Sequence, residues 1–207
     1  MDKIMIVDDT RVLTNLYCNF LSKLGYESSG AYTGLECLEK LTLEKPDLIL
    51  LEIMMEPVDG WKTLEMIKEN PETEGIPVVM MTAKAPVPND FVDYGDFIDG
   101  YVMKPVKPSE LQSIINLVID RRKKAAESIL LAKEFGACEE KQRRLFDLSI
   151  QHDVLMKLKE LLYDTYSAYG NGRNFKNLFE KELGSIDCNL EDKKEELFSL
   201  KTEIGLL

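Results

Sequence analysis

Four apolar residues in a row, Leu48–Leu51, run straight into Glu52, and this stretch limits what the chain can fold into. Pro46 precedes the run, and Pro57 and Gly60 shape the loop after it. A segment so short and so uniformly apolar reads as a strand buried on both faces. Such strands belong to parallel sheets with helices on either side. Ligands in those sheets sit beyond the carboxyl ends of the strands, where the strand order reverses. Glu52 stands at such an end.

Other strand-like runs end on residues that suit the same place. Lys3–Val7 leads into Asp8-Asp9, Ile76–Met81 into Thr82-Ala83, and Ile98–Met103 into Lys104-Pro105. Strand tips that converge would gather Asp8, Asp9 and Glu52. Three close carboxylates repel, so one must take a proton or a cation must sit among them. Oxygen donors alone suit a hard divalent ion such as Mg²⁺. Each acid could also simply cap its own turn, but three at strand ends argue for a site. A hydroxyl and an ammonium beside them can hold phosphoryl oxygens.

The acid pair Asp8-Asp9, the acid-x-x-Met…Asp-Gly run Glu52–Gly60, Thr82-Ala83 and Lys104-Pro105 occur in the order found in response-regulator receiver domains. Residues 1–122 resemble that family. The resemblance implies a flavodoxin-like, doubly wound α/β fold with a five-stranded parallel sheet. It implies transfer of a phosphoryl group from a phosphohistidine to an aspartate. It also implies Mg²⁺ held by Asp8, Asp9, the acceptor carboxylate and the backbone carbonyl of Met54. Thr82 and Lys104 match the residues that contact the phosphoryl group, and Tyr101 matches the switch aromatic. The fourth helix, fifth strand and fifth helix form the face that partners read in the family.

The departure is at the acceptor, which is Glu52 where the family has aspartate. One methylene moves the carboxylate by about 1.5 Å. A misplacement of about 1 Å can cost on the order of a hundredfold in an in-line attack. The longer side chain could also pair with Lys104 or Thr82. Two readings stay open: a receiver that no longer takes phosphate, with Mg²⁺ weakened or lost, or one held in an active-like state by its own glutamate.

Composition narrows the partners. The 207 residues carry a formal charge of −11, which argues against sequence-independent nucleic-acid binding. No apolar run approaches a membrane span, and no basic-then-apolar leader marks export. Cys18, Cys37, Cys138 and Cys188 are scattered, with no C-x-x-C pair. They read as buried thiols of a reducing cytoplasm.

The remaining receiver elements follow from periodicity. A first helix over residues 10–24 has Thr10 as N-cap and Val12, Leu13, Leu16, Phe20, Leu21 and Leu24 inward, with Gly25 at C′. Tyr26–Tyr32 reads as a strand. Thr33 to about Glu44 reads as a helix with Leu35, Leu38 and Leu41 inward. Trp61–Glu69 reads as a third helix, with Trp61 at the edge of the core. Pro86 and Pro88 keep the fourth helix short, starting near Pro88. The fifth begins at Pro108 with Leu111, Ile114, Ile115 and Val118 inward. It continues past Arg121–Lys124 to Gly136, so residues 123–137 form a connecting helix with no flexible linker.

Residues 138–207 show no strand alternation. Apolar positions 145, 148, 155, 158, 162 and 169 keep coiled-coil spacing, with Gln151 and Thr165 polar on the seam. Gly170-Asn171-Gly172 signals a turn. Phe175, Phe179, Leu183, Ile186, Leu190, Leu197, Leu200 and Ile204 follow, with Lys193 the polar seam residue. Gly184 and Asn189 weaken this helix without breaking it. The pattern is an antiparallel hairpin. One hairpin alone buries little, so two are expected to pair as a homodimeric four-helix bundle.

The only histidine, His152, lies in that hairpin at the rim of its apolar stripe, next to Asp153. The His-Asp-x-Leu order, with Phe179–Leu183 and Thr202–Leu206, resembles the dimerisation and histidine-phosphotransfer domain of sensor histidine kinases. The resemblance implies a phosphohistidine at His152, with Asp153 helping to deprotonate the imidazole. Met156 stands where that family often has Asn or Thr, so phosphatase activity is not expected. No Gly-rich phosphate loop follows and the chain ends at Leu207, so self-phosphorylation from ATP is not expected either. The first reading is therefore a two-component, phosphorelay protein whose hairpin docks a histidine kinase or response regulator. A pure binding module is second, and a transcriptional regulator ranks last.

Overall fold

The computed structural model describes residues 2–167 and 173–207, and the side chains of these except 167, 173–180 and 182. Five strands form one sheet: β1 Lys3–Val7, β2 Glu27–Ala31, β3 Leu48–Leu51, β4 Val78–Thr82 and β5 Gly100–Met103. All pairings are parallel, in the order β2-β1-β3-β4-β5. The order reverses beside β1, between β2 and β3, as a doubly wound sheet requires. Ile4–Val7, Leu48–Leu51 and Val78–Met81 are wholly buried. The edge strand β2 (ESSGA) is polar and half-exposed instead.

The helices are α1 Arg11–Lys23, α2 Gly34–Leu41, α3 Gly60–Glu69, α4 Pro88–Tyr94, α5 Pro108–Glu134, α6 Glu139–Ser167 and α7 Arg173–Ile204. Local signals explain their starts. Thr33 accepts from the Glu36 N–H at 3.1 Å while the Glu36 carboxylate accepts from the Tyr32 N–H at 2.8 Å, a reciprocal cap. Asp59 accepts from the Lys62 N–H at 2.8 Å to open α3. Thr10 is the N-cap residue of α1, yet its side chain makes no cap bond.

Two expected helix faces are right only in part: Leu21 and Leu41 are buried as expected, and Leu13, Phe20, Leu24 and Leu38 are half-buried. Val12 and Leu16 of α1 are exposed, whereas Thr14, Tyr17 and Leu21 are buried. Thr14 can face inward because its hydroxyl donates to the Asp8 carbonyl at 2.9 Å, which satisfies it there. In α2, Cys37 and Leu41 pack inward while Leu35 is exposed. Burial pushes the Cys37 thiol up to about 12. Cys138, in the connection just before α6, and Cys188, off the apolar stripe of α7, are exposed, contrary to expectation. Trp61 is buried at the sheet's flank, as expected.

The chain clusters into two compact units: residues 1–85 with 97–116, and residues 86–96 with 117–207. The first holds the sheet. The second holds α4, the later part of α5, and the hairpin of α6 and α7. Lys141–Glu203 at 2.5 Å, Arg144–Glu196 at 2.6 and 2.5 Å, and Lys159–Asp187 link α6 to α7. Numbers rise on one helix as they fall on the other, so the pair is antiparallel. Leu145, Leu148, Leu155, Leu158 and Leu162 are buried, as are Leu183, Ile186, Leu190 and Ile204. Ala132 of α5 joins Leu145 and Ile204 in one cluster, with Leu197 and Leu200 against it. The apolar stripe is thus covered within one chain, and its burial does not itself demand a second copy. The turn at 170–172, Tyr169 and the side chains of Phe175 and Phe179 lie outside the described residues. Among the described residues, no helix is long and apolar enough to cross a membrane.

The stability of the sheet unit should follow burial. Leu50→Ala, in the wholly buried β3, is expected to cost about 2–5 kcal/mol. Leu43→Ala, at a residue 87% exposed, should stay within about 0.5 kcal/mol. Urea unfolding followed by the fluorescence of Trp61, the single tryptophan, reads both.

Candidate functional site

Backbone pairing fixes the site before any side chain is placed. The Glu52 N–H donates to the Val7 carbonyl at 2.9 Å, so Glu52 leaves β3 beside Asp8 as it leaves β1. The Lys104 N–H donates to the Thr82 carbonyl at 2.7 Å, which aligns the tips of β4 and β5. Gly60 is required next to them. A Cβ there would fall 2.1 Å from the Glu52 carbonyl oxygen, so any side chain would push α3 off the loop.

Lys104 draws the acids together. Its Nζ donates to Glu52 Oε2 at 2.5 Å and also to Asp8 Oδ2. The Lys104 side chain is 9% exposed, that of Asp8 1% and that of Glu52 7%. The other carboxylate oxygens turn to backbone donors. Glu52 Oε1 accepts from the N–H groups of Ile53 at 2.7 Å and Met54 at 3.0 Å. Asp8 Oδ1 accepts from the Thr10 N–H at 2.8 Å. Burial pulls the Lys104 ammonium down, but its hydrogen bonds to Asp8 and Glu52 outweigh that and hold it above the usual lysine range.

The other expected residues have partners of their own. Asp9 is exposed, and its carboxylate accepts a long bond, 3.4 Å, from the Thr10 hydroxyl. Thr82 is buried, and its hydroxyl accepts from the Lys84 N–H at 3.1 Å. Of the two partners expected for Glu52, Lys104 is therefore the one it pairs with. Tyr101 is buried, and its hydroxyl donates to the Lys84 carbonyl at 2.7 Å. Lys84, gripped at both its N–H and its carbonyl, gave no sign in the sequence. In the second unit, His152 is partly exposed, with Nδ1 3.4 Å from Asp153 Oδ1. That is too long for a strong hydrogen bond. Asp153 is exposed.

Metal binding needs free oxygen donors, and this arrangement leaves few. Both carboxylates of the triad accept from Lys104 and from backbone N–H groups. Among the described residues, no cluster of three or more His, Cys, Asp or Glu side chains could hold a metal ion. As arranged, the Lys104 ammonium takes the position between Asp8 and Glu52.

Comparison with known proteins adds to this geometry. The family model described as "Response regulator receiver domain" matches residues 4–116. A probable transcriptional regulator of Guillardia theta is 34% identical over 125 residues, 60% of this chain and 48% of that protein. The alkaline phosphatase synthesis transcriptional regulatory protein of Bacillus subtilis is 31% identical over 126 residues, 61% of this chain and 52% of its own. The chain spans about half the length of the curated relatives it matches. Among solved structures, a CheY-like response regulator receiver domain protein of Methanospirillum hungatei is 30% identical. Its match covers 60% of this chain and 98% of that one, with a TM-score of 0.55.

The triad makes a stability prediction. Lys104→Met strands two buried carboxylates and is expected to cost about 3–5 kcal/mol; adding Glu52→Gln should restore part of it. The ammonium is held above its ordinary value of 10.5. Its contribution should therefore be complete below that pH and vanish as pH rises through the higher, folded value. Urea midpoints of wild type and Lys104→Met, compared from neutral pH upward, check the sign.

Proposed function

This chain belongs to the response regulator receiver family, and on that footing we propose that it is a two-component signalling protein whose receiver is governed by Glu52 rather than by phosphate. The supporting observation is the 2.5 Å ion pair between Lys104 and Glu52, with the second Glu52 oxygen on the Ile53 and Met54 N–H groups. A carboxylate with both oxygens engaged is a poor nucleophile toward phosphorus. A glutamate already on the lysine also supplies a fixed negative charge there. Receiver domains generally bind Mg²⁺ at their phosphorylation site. Here Lys104 balances Asp8 and Glu52, and Mg²⁺ binding is expected to be weak.

The hairpin supplies the other half of the reading. It docks a histidine kinase or another response regulator, and His152 takes the phosphoryl group. An imidazole nitrogen attacks the phosphorus of a partner's phosphoaspartate, and the P–O bond to the leaving carboxylate breaks. The imidazole loses its proton, with Asp153 beside it as acceptor. The partial exposure of His152 supports access. Pairing of two copies through residues 138–207 belongs to the same proposal, supported by Met156, Tyr163 and Phe198 exposed on α6 and α7. Transcriptional regulation is the second reading, favoured by the names of the curated relatives. The formal charge of −11 and the absence of a basic recognition helix in the sequence weigh against direct DNA contact.

Two labelling experiments separate these parts. With a small phosphodonor and Mg²⁺, wild type should stay unlabelled and Glu52→Asp should take label. Label on wild-type Glu52 would overturn the receiver reading. With a phosphorylated receiver partner, wild type should take label and His152→Ala should not; equal labelling of both would remove His152 from the proposal. DNA retarded at physiological salt would promote the second reading.

A further inference from the structure

Helix α4 lies within the residues matched by the receiver family, yet it clusters with the helical hairpin. Three features hold it there. Lys193 of α7, only 7% exposed, donates to Asp96 at 2.8 Å, just beyond the end of α4, and to Gln151 of α6 at 3.0 Å. The hydroxyl of Tyr166 in α6 donates to the Pro86 carbonyl at 2.9 Å, just before α4 begins. At Gly95, which caps α4, an added Cβ would stand 2.8 Å from a Leu155 methyl of α6 and 2.3 Å from the Phe91 carbonyl oxygen. The end of α4 thus lies against α6 at a distance only glycine permits.

A buried lysine on a coiled-coil seam is costly unless it is paired. Lys193 is paired, and its charged partner comes from the segment around α4, not from the hairpin. Gln151, the polar seam residue facing it, accepts the second hydrogen bond and completes the arrangement. We propose that α4 is a docking surface engaged by this chain's own hairpin, with Lys193 as the latch that fastens it through Asp96. The partner is thus an intramolecular α6–α7 face with a buried cation, and α4 moves with the hairpin. The inference rests on the helical unit alone, and it stands or falls separately from the roles of Glu52 and His152.

Hydrogen exchange on the full chain tests it. Lys193→Met keeps the aliphatic stem and helix propensity but removes the charge. The α4 amides, residues 89–94, are expected to exchange about tenfold faster or more in this variant. Amides of α6 near Leu145 and Leu148, and of β1 and β3, should hold their wild-type rates. Asp96→Asn, which removes the charge from the other side, should reproduce the effect. The double variant should be no worse than the stronger single one, since both break the same bond. Unchanged α4 exchange in Lys193→Met would overturn the latch. So would an equal rise across α4 and the whole hairpin, which would mark Lys193 as a general stabiliser, or additive effects in the double variant.

Discussion

The sheet's mouth depends on one ammonium shared by two buried carboxylates. Lys104 carries one positive charge against the two negative charges of Asp8 and Glu52, so the triad stays one unit negative. Burying unbalanced charge is unfavourable unless fixed dipoles make up the difference. They do so here: the N–H groups of Thr10, Ile53 and Met54 all point at carboxylate oxygens. Those N–H groups are aimed by the turns that leave β1 and β3. The close approach of Gly60 to the Glu52 backbone keeps the second turn tight. Backbone and charge are thus one construction, and moving the lysine would disturb both loops.

The hairpin solves a related problem by different means. Its seam is apolar except at a few positions, and Gln151 and Lys193 meet across it. Polar seam residues cost stability but specify register, because only one alignment pairs them. The ion pairs Arg144–Glu196 and Lys141–Glu203 agree with the same alignment. Exposed pairs of this kind add little stability each. They follow the register that the seam sets.

The fold was legible where pattern alone decides. Uniform apolar runs marked β1, β3 and β4, and heptad spacing marked α6 and α7, because both signals survive without knowledge of neighbours. The faces of α1 and α2 were legible only in part. A rule that counts only apolar residues cannot see that Thr14 is satisfied by the Asp8 carbonyl, nor that Cys37 is buried while Leu35 is exposed. At the site, Asp8, Glu52, Thr82 and Lys104 could be named from strand ends. The gripping of Lys84 by Thr82 and Tyr101 could not, since a backbone carbonyl and N–H leave no trace in residue type. Asp96 was hidden for a similar reason: its partner is 97 residues away.

Glu52 closes this pocket on itself. A side chain with one more rotatable bond can curl back so that one oxygen meets the N–H groups of the next two residues while the other reaches across β4 to Lys104. Closure costs side-chain entropy, which two backbone hydrogen bonds and a charge-assisted one more than offset. An incoming phosphoryl group would have to break these bonds before it gained any of its own. On the proposed reading, the same contacts that order the loop would oppose phosphorylation, because they occupy both oxygens of Glu52.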